Sequence, residues 1–187
     1  MRIVSGSYRG KTINPPKNFR ARPTTDFAKE GLFNILANVF DFEEIEVLDL
    51  FSGTGSIGYE FASRGAISID MVERNFLHTE FIRKTLQEIG ITNARVIKSD
   101  VFIYIERVNR PFDIVFADPP YELEDIATIP DKVLNGRLLK DNAWFILEHG
   151  SKVSFKDHPH CFDQRNYGNV HFSFFRKTDI VNPDSTD

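Results

Sequence analysis

Residues 118–121, Asp-Pro-Pro-Tyr, break what is otherwise a buried-strand pattern, Phe-Asp-Ile-Val-Phe-Ala at 112–117. Proline lacks an N–H, so Pro119 and Pro120 leave this segment with acceptors alone, the Asp118 carboxylate and the Pro119 carbonyl, on a backbone of stiff φ. Acceptors without donors suit an exocyclic amino group. Two of them, one on each amine hydrogen, aim the nitrogen lone pair at an electrophile, and Asp118 stabilises the positive charge that grows on nitrogen as a new bond forms. Tyr121 adds a flat face on which a base can stack, worth ~1 to 3 kcal/mol. A base inside a duplex cannot reach such a pocket, so an unpaired or flipped nucleotide is the expected guest. A proline-rich turn carrying a surface tyrosine is the plainer alternative.

A second cluster supplies the electrophile. Asp49 to Gly58 places Gly53, Gly55 and Gly58 as G-x-G-x-x-G between a strand and a helix, with Glu73 closing the next strand. The spacing is formally that of a dinucleotide loop. Asp49 argues against a pyrophosphate, because two like charges ~5 Å apart repel by several kcal/mol at intermediate dielectric. S-adenosylmethionine carries a sulfonium and an α-ammonium and no phosphate, so an acidic strand end favours it. Glu73 is placed to accept the ribose hydroxyls, and Asp100, at the end of the third strand, a bond from the adenine amine. Asp49 as a turn or N-cap residue, and Glu73 as a helix-start charge, are the structural alternatives.

The elements that must hold these residues alternate. Strands are predicted at 46–51, 67–73, 94–100, 112–118 and 143–149, and helices follow from Asp26, over 56–65, 75–90, 101–108 and near 126–138. Ala28, Leu32, Ile35, Leu36 and Val39 make the apolar face of the first helix. Strands separated by helices indicate an α/β fold, a parallel sheet covered on both faces, whose ligands sit at the carboxyl ends of the strands. The alternating runs around Tyr167-Gly168-Asn169 predict an antiparallel hairpin at the end of the sheet. At the start, "RIVSGSYRGKTI" predicts a small β-hairpin and "NPPKNFRARP" a linker. The expected organisation is a basic hairpin and linker over 1–25, one main domain over 26–178, and a disordered tail over 179–187.

The formal net charge is -4, yet residues 1–25 hold Arg2, Arg9, Lys11, Lys17, Arg20 and Arg22 and none of the chain's 27 acidic residues. Clustered charge attracts polyanions over about one Debye length, ~8 to 10 Å, so this arm is either an RNA contact or simply solvated. A single cysteine, Cys161, excludes an internal disulfide framework and fits a reducing compartment. With no apolar run near the roughly 20 residues that cross a bilayer and no signal-like start, a cytoplasmic protein without a membrane partner is expected. The His158, His160 and Cys161 cluster lacks a second ligand pair, and no metal is expected. Glu148 and His149 close the fifth strand, either bordering the pocket or forming a satisfied structural pair. Most of the 18 phenylalanines fall at core positions.

These motifs resemble those of the class I S-adenosylmethionine-dependent methyltransferases. The resemblance is nearer to the bacterial 16S rRNA guanine-N2 methyltransferases of the guanine 966 type. "RIVSGSYRGK", "RPTTDFAKEGLFNIL", "VLDLFSGTGSIGYEFASRGA", "DIVFADPPY" and "YGNVHFSFF" carry it over nearly the whole chain. It implies a Rossmann-like seven-stranded, mostly parallel sheet with a basic N-terminal extension. It also implies methylation of one guanine of 16S rRNA, in the small ribosomal subunit or its precursor, by a monomer. By motif match Asp49, Phe51, Gly53, Gly55, Glu73 and Asp100 would contact the cofactor. Asp118, Pro119 and Tyr121 would be catalytic, and Arg2, Arg9, Lys11, Arg22 and Thr24 would bind RNA. Phe27 departs from the family, which often carries a basic residue there. Adenine-N6 methylation of DNA shares the Asp-Pro-Pro-Tyr motif and stays open, as does an RNA-binding assembly factor without turnover; a nicotinamide dehydrogenase fits least well.

Overall fold

A computed structural model describes residues 1–17, 19 and 24–177 of the chain. The predicted tail over 179–187, together with Arg20 and Arg22, lies outside the described residues. The described residues contain seven strands in one sheet: β1 (Glu46–Leu50), β2 (Ser68–Glu73), β3 (Ala94–Lys98), β4 (Phe112–Ala117), β5 (Leu139–His149), β6 (Cys161–Tyr167) and β7 (Val170–Phe175). Their order is β3-β2-β1-β4-β5-β7-β6. β1 to β5 pair in parallel, whereas β7 runs antiparallel to both β5 and β6. Chain order reverses between β1 and β4, and the crevice outside their carboxyl ends is the natural place for a ligand in an open sheet.

Among the described residues five helices cover the sheet: α1 (Asp26–Leu36), α2 (Ser56–Ser63), α3 (Phe76–Ile89), α4 (Val101–Arg107) and α5 (Ile129–Leu134). Side chains alternate across each strand, so neighbours divide between two cores. Val47, Ile69, Ile114 and Ile146 pack with Leu32, Phe61 and Ile82 from α1, α2 and α3. Leu48, Val72, Val115 and Leu147 pack with Tyr104 of α4 and Val133 of α5. Eight phenylalanines are among the largest fully buried side chains, which bears out their expected place in the core. The local signals explain the best-bounded helix: Asn75 accepts from Leu77 N and His78 N at the start of α3, and Gly90 ends it with φ 83°.

Three expectations shift. Val39 is exposed, because α1 ends at Leu36 and Val39 falls in the turn beyond it. The helix predicted near 126–138 is a 3-10 turn over Glu124–Thr128 followed by the short α5, with Pro130 confined to the first helical turn where its missing N–H does no harm. β5 begins at Leu139 rather than near 143, with an irregularity in its pairing between Phe112 and Ile114 and a positive φ at Asn142.

The predicted N-terminal hairpin is reduced to one antiparallel bridge, Arg2 to Thr12, flanked by Ile3 N–Lys11 O at 3.0 Å and Ile13 N–Met1 O at 2.9 Å. Much of its backbone bonds to α2 instead of to itself. Val4 N and Ser5 N donate to the Glu60 carboxylate and Ser7 N to Ser63 O. Ile3 and Ile13 join the first core.

Candidate active site

β1 delivers Asp49 and then turns through the glycine loop. Gly53 and Gly55 have positive φ, as does Phe51 at 59°, a conformation that strains a side-chain-bearing residue by ~1 to 3 kcal/mol and gathers at functional sites. Gly55 has φ 84°, and a Cβ there would meet the Tyr59 ring at 2.6 Å, so only glycine fits. The loop is fastened from β2. Glu73 Oε2 accepts from Gly53 N at 2.9 Å and Oε1 from Asn75 N at 2.7 Å, leaving each oxygen a second lone pair for a ligand hydroxyl. Asp100 Oδ1 caps α4 through Phe102 N at 2.9 Å, while Oδ2 stands 3.9 Å from Arg74.

Asp49 is 2% exposed, and its Oδ2 is buried without a hydrogen-bond partner. Burial, with a smaller push from Glu73, raises its pKa to about 7. An orphaned buried carboxylate oxygen fits a ligand that brings a positive charge or a donor. S-adenosylmethionine meets that requirement and a pyrophosphate does not.

The carboxyl end of β4 lies beside that of β1, with Asp118 N donating to Leu50 O at 3.3 Å. Asp118 is partly buried, Pro119 is buried, and Tyr121 is 55% exposed, with its ring 3.7 Å from where a Cβ on Gly150 would stand. Burial first, then Glu148, then Asp49, hold the Asp118 pKa well above the usual carboxylate range. Burial, then Glu148 and Asp118, push the Tyr121 hydroxyl up to about 12.

Glu148 is the site residue that sequence reasoning left undecided. It does not pair with His149. Consecutive strand residues point to opposite faces, so Glu148 turns toward Asp118 and Tyr121, whereas His149 bonds Ser173 Oγ at 2.8 Å and Gly150 O at 3.0 Å. Thr24 donates to Glu148 Oε2 at 2.8 Å across 124 residues of sequence. Burial lifts the Glu148 pKa to about 7 against the pull of that hydroxyl.

The basic arm is spread out. Arg2 is exposed, pairs with Asp26 at 3.3 Å, and lies near the glycine loop, where Thr54 bonds the Met1 sulfur at 3.4 Å. Arg9 and Lys11 are exposed, and the turn carrying Arg9 sits against Ser63, at the end of α2 away from the loop. Thr24 is buried, so its hydroxyl serves Glu148 rather than the surface. Lys29 was missed. It is 1% exposed on the apolar side of α1 and donates to Arg2 O at 2.6 Å and Ser56 Oγ at 3.4 Å, with Glu60 at 3.8 Å. Its only signal in the sequence was a charge beside Ala28 on the face that had to be buried. His158 stands 3.3 Å from Asp131, and no group of metal-ligating side chains is present among the described residues. No described helix is long and apolar enough to cross a membrane.

This geometry has relatives. Ribosomal RNA small subunit methyltransferase D of Escherichia coli strain K12 is 34% identical over 77% of this chain and 69% of its own length. The protein of the same name from Buchnera aphidicola is 32% identical over 82% of this chain and 78% of its own. A solved Escherichia coli structure, titled as a candidate methyltransferase yhhF, superposes with a TM-score of 0.80 at 28% identity, covering 94% of this chain and 96% of that one. The seven-stranded sheet and its strand order are those of a class I methyltransferase fold. Residues 1–176 match the family model described as conserved hypothetical protein 95, and the chain belongs to that family.

Proposed function

We propose that this protein transfers a methyl group from S-adenosylmethionine to the exocyclic N2 amine of a guanine in 16S rRNA, of the guanine 966 type. It acts as a cytoplasmic monomer on the small ribosomal subunit or its precursor. One observation carries the reading: the Asp118–Pro119 segment, whose single N–H is spent on Leu50 O, sits at the end of β4, beside the β1 end whose Asp49 keeps an unpartnered buried oxygen. The names of the relatives support rRNA of the small subunit as the substrate class.

Bound S-adenosylmethionine supplies an electrophilic methyl carbon and a positive charge. The chain's own groups do the rest. Asp118 and the Pro119 carbonyl accept the two amine hydrogens, Tyr121 stacks the base, and the nitrogen lone pair is left pointing along the line of displacement. As the N–C bond forms and the C–S bond breaks, the nitrogen becomes cationic; Asp118 balances that charge, and the proton leaves to its carboxylate or to water. Because the bare crevice raises the pKa of Asp118, Glu148 and Asp49, chiefly by burial, a cationic ligand favours their ionisation.

Incubation with labelled S-adenosylmethionine and either undermethylated small subunits or DNA tests the substrate class. Label in the 16S rRNA is expected; label in DNA alone would overturn the reading in favour of adenine N6.

A further inference from the structure

Glu148 is 3% exposed, yet among the described residues only one of its oxygens is hydrogen-bonded. Oε2 takes the Thr24 hydroxyl at 2.8 Å, and Oε1 has no hydrogen-bond partner among the described residues. The parallel register pairs Ala117 with Leu147, so Asp118 and Glu148 are the next partners along adjacent strand ends, on the same face and about 5 Å apart in backbone. Tyr121 closes the other side. A planar base stacked on Tyr121 with its amine on Asp118 therefore presents its neighbouring ring position to Glu148.

We propose that Glu148 reads the Watson–Crick edge of the target base, its free Oε1 accepting the guanine N1–H beside the N2 amine held by Asp118 and Pro119. The inference rests on the guanine reading above and supplies its specificity. Guanine offers two donors side by side on that edge. Adenine and 2-aminopurine each offer an amine next to an acceptor nitrogen, which a carboxylate repels. A site that leaves its buried acceptor facing an acceptor discriminates strongly against that base.

Thr24 is the positioning residue. Its O–H donates, so it fixes which carboxylate oxygen turns away and which faces the pocket. In a Glu148→Gln variant the same hydroxyl selects the amide oxygen and turns the NH2 toward the base, placing a donor where the native protein has an acceptor. The edge preference then inverts. A residue that merely filled space would not produce this inversion.

The test is binding, by fluorescence anisotropy, of uridine heptamers carrying one central guanine, 2-aminopurine or inosine, with S-adenosylmethionine thermal shift as the check on folding. The native protein is expected to hold the guanine oligomer about 10-fold or more tighter than the 2-aminopurine one, the value of a good edge contact. Inosine, which keeps N1–H and lacks the amine, should fall between. Glu148→Gln should cancel or reverse the guanine preference, Thr24→Val should weaken it, and Thr24→Ser should keep it. A Glu148→Gln protein with native preference overturns the role of Glu148 and leaves the proposed methyl transfer standing. Failure of the native protein to bind any of the three oligomers while it binds S-adenosylmethionine overturns the base-capture reading itself, and the role of Glu148 with it.

Discussion

At the scale of single residues, Asp49, Asp118 and Glu148 are acids held where they do not ionise easily. Asp49 and Glu148 have pKa values raised to about 7 in the folded chain, above their ordinary values, so between about pH 4.5 and pH 7 the folded state holds more protons than the unfolded one. Stability without ligand therefore falls as pH rises through that window. Thermal denaturation of the bare protein should show a lower midpoint at about pH 8 than at about pH 5, and saturating S-adenosylmethionine should shrink the difference by stabilising the ionised forms. Asp49→Asn removes the buried charge and should raise the midpoint at neutral pH while weakening S-adenosylmethionine binding, read by titration calorimetry. Asp118→Ala should lower methyl transfer about 100-fold or more with cofactor affinity little changed, since it deletes both a positioning contact and the charge that balances nitrogen. Unchanged transfer in that variant would remove the mechanism.

The same scale shows where sequence reading stops. Asp49, Glu73, Asp100 and Asp118 were legible as strand-end acids because a strand and the helix after it announce themselves by period and by glycine. That Glu73 holds the loop through Gly53 N, or that Glu148 parts from His149 to meet Thr24, depends on contacts 20 and 124 residues apart, which no local pattern encodes.

At the scale of elements, the N-terminal segment is tied to the cofactor loop. Lys29 on α1 reaches the Arg2 carbonyl and Ser56 at the start of α2, and Glu60 on α2 takes Val4 N, Ser5 N and Arg64. Burial lowers the Lys29 pKa, against the pull of Glu60 and Asp26. Lys29→Ala leaves Glu60 buried with less compensation and should cost about 3 to 5 kcal/mol, measured by urea denaturation. Neutralising Arg2, Arg9 and Lys11 should instead weaken RNA binding and flatten its salt dependence while cofactor affinity holds, which a binding series against salt would show. The outcome separates an arm that binds RNA from one that only braces α2. The alternation of parallel strands with helices and the terminal hairpin were readable in outline. The shortening of the N-terminal hairpin was not, because its donors are claimed by α2, a tertiary partner that the local alternation does not reveal.

For the whole molecule, a net negative chain with an acidic crevice and a basic edge separates two tasks: the crevice favours a cation, and the edge favours a polyanion. The doubly covered sheet sets the crevice at the carboxyl ends of β1 and β4, where the order of strands reverses, with Arg2 near the glycine loop and Arg9 at the far end of α2. The most direct measurement is mass spectrometry of nucleosides from 16S rRNA, after small subunits from cells lacking this gene are incubated with S-adenosylmethionine and either the native protein or Asp118→Ala. The account predicts N2-methylguanosine at one position, formed by the native protein and missing with the variant. A methyl group on adenine, or an unmodified 16S rRNA with the native protein, would contradict it.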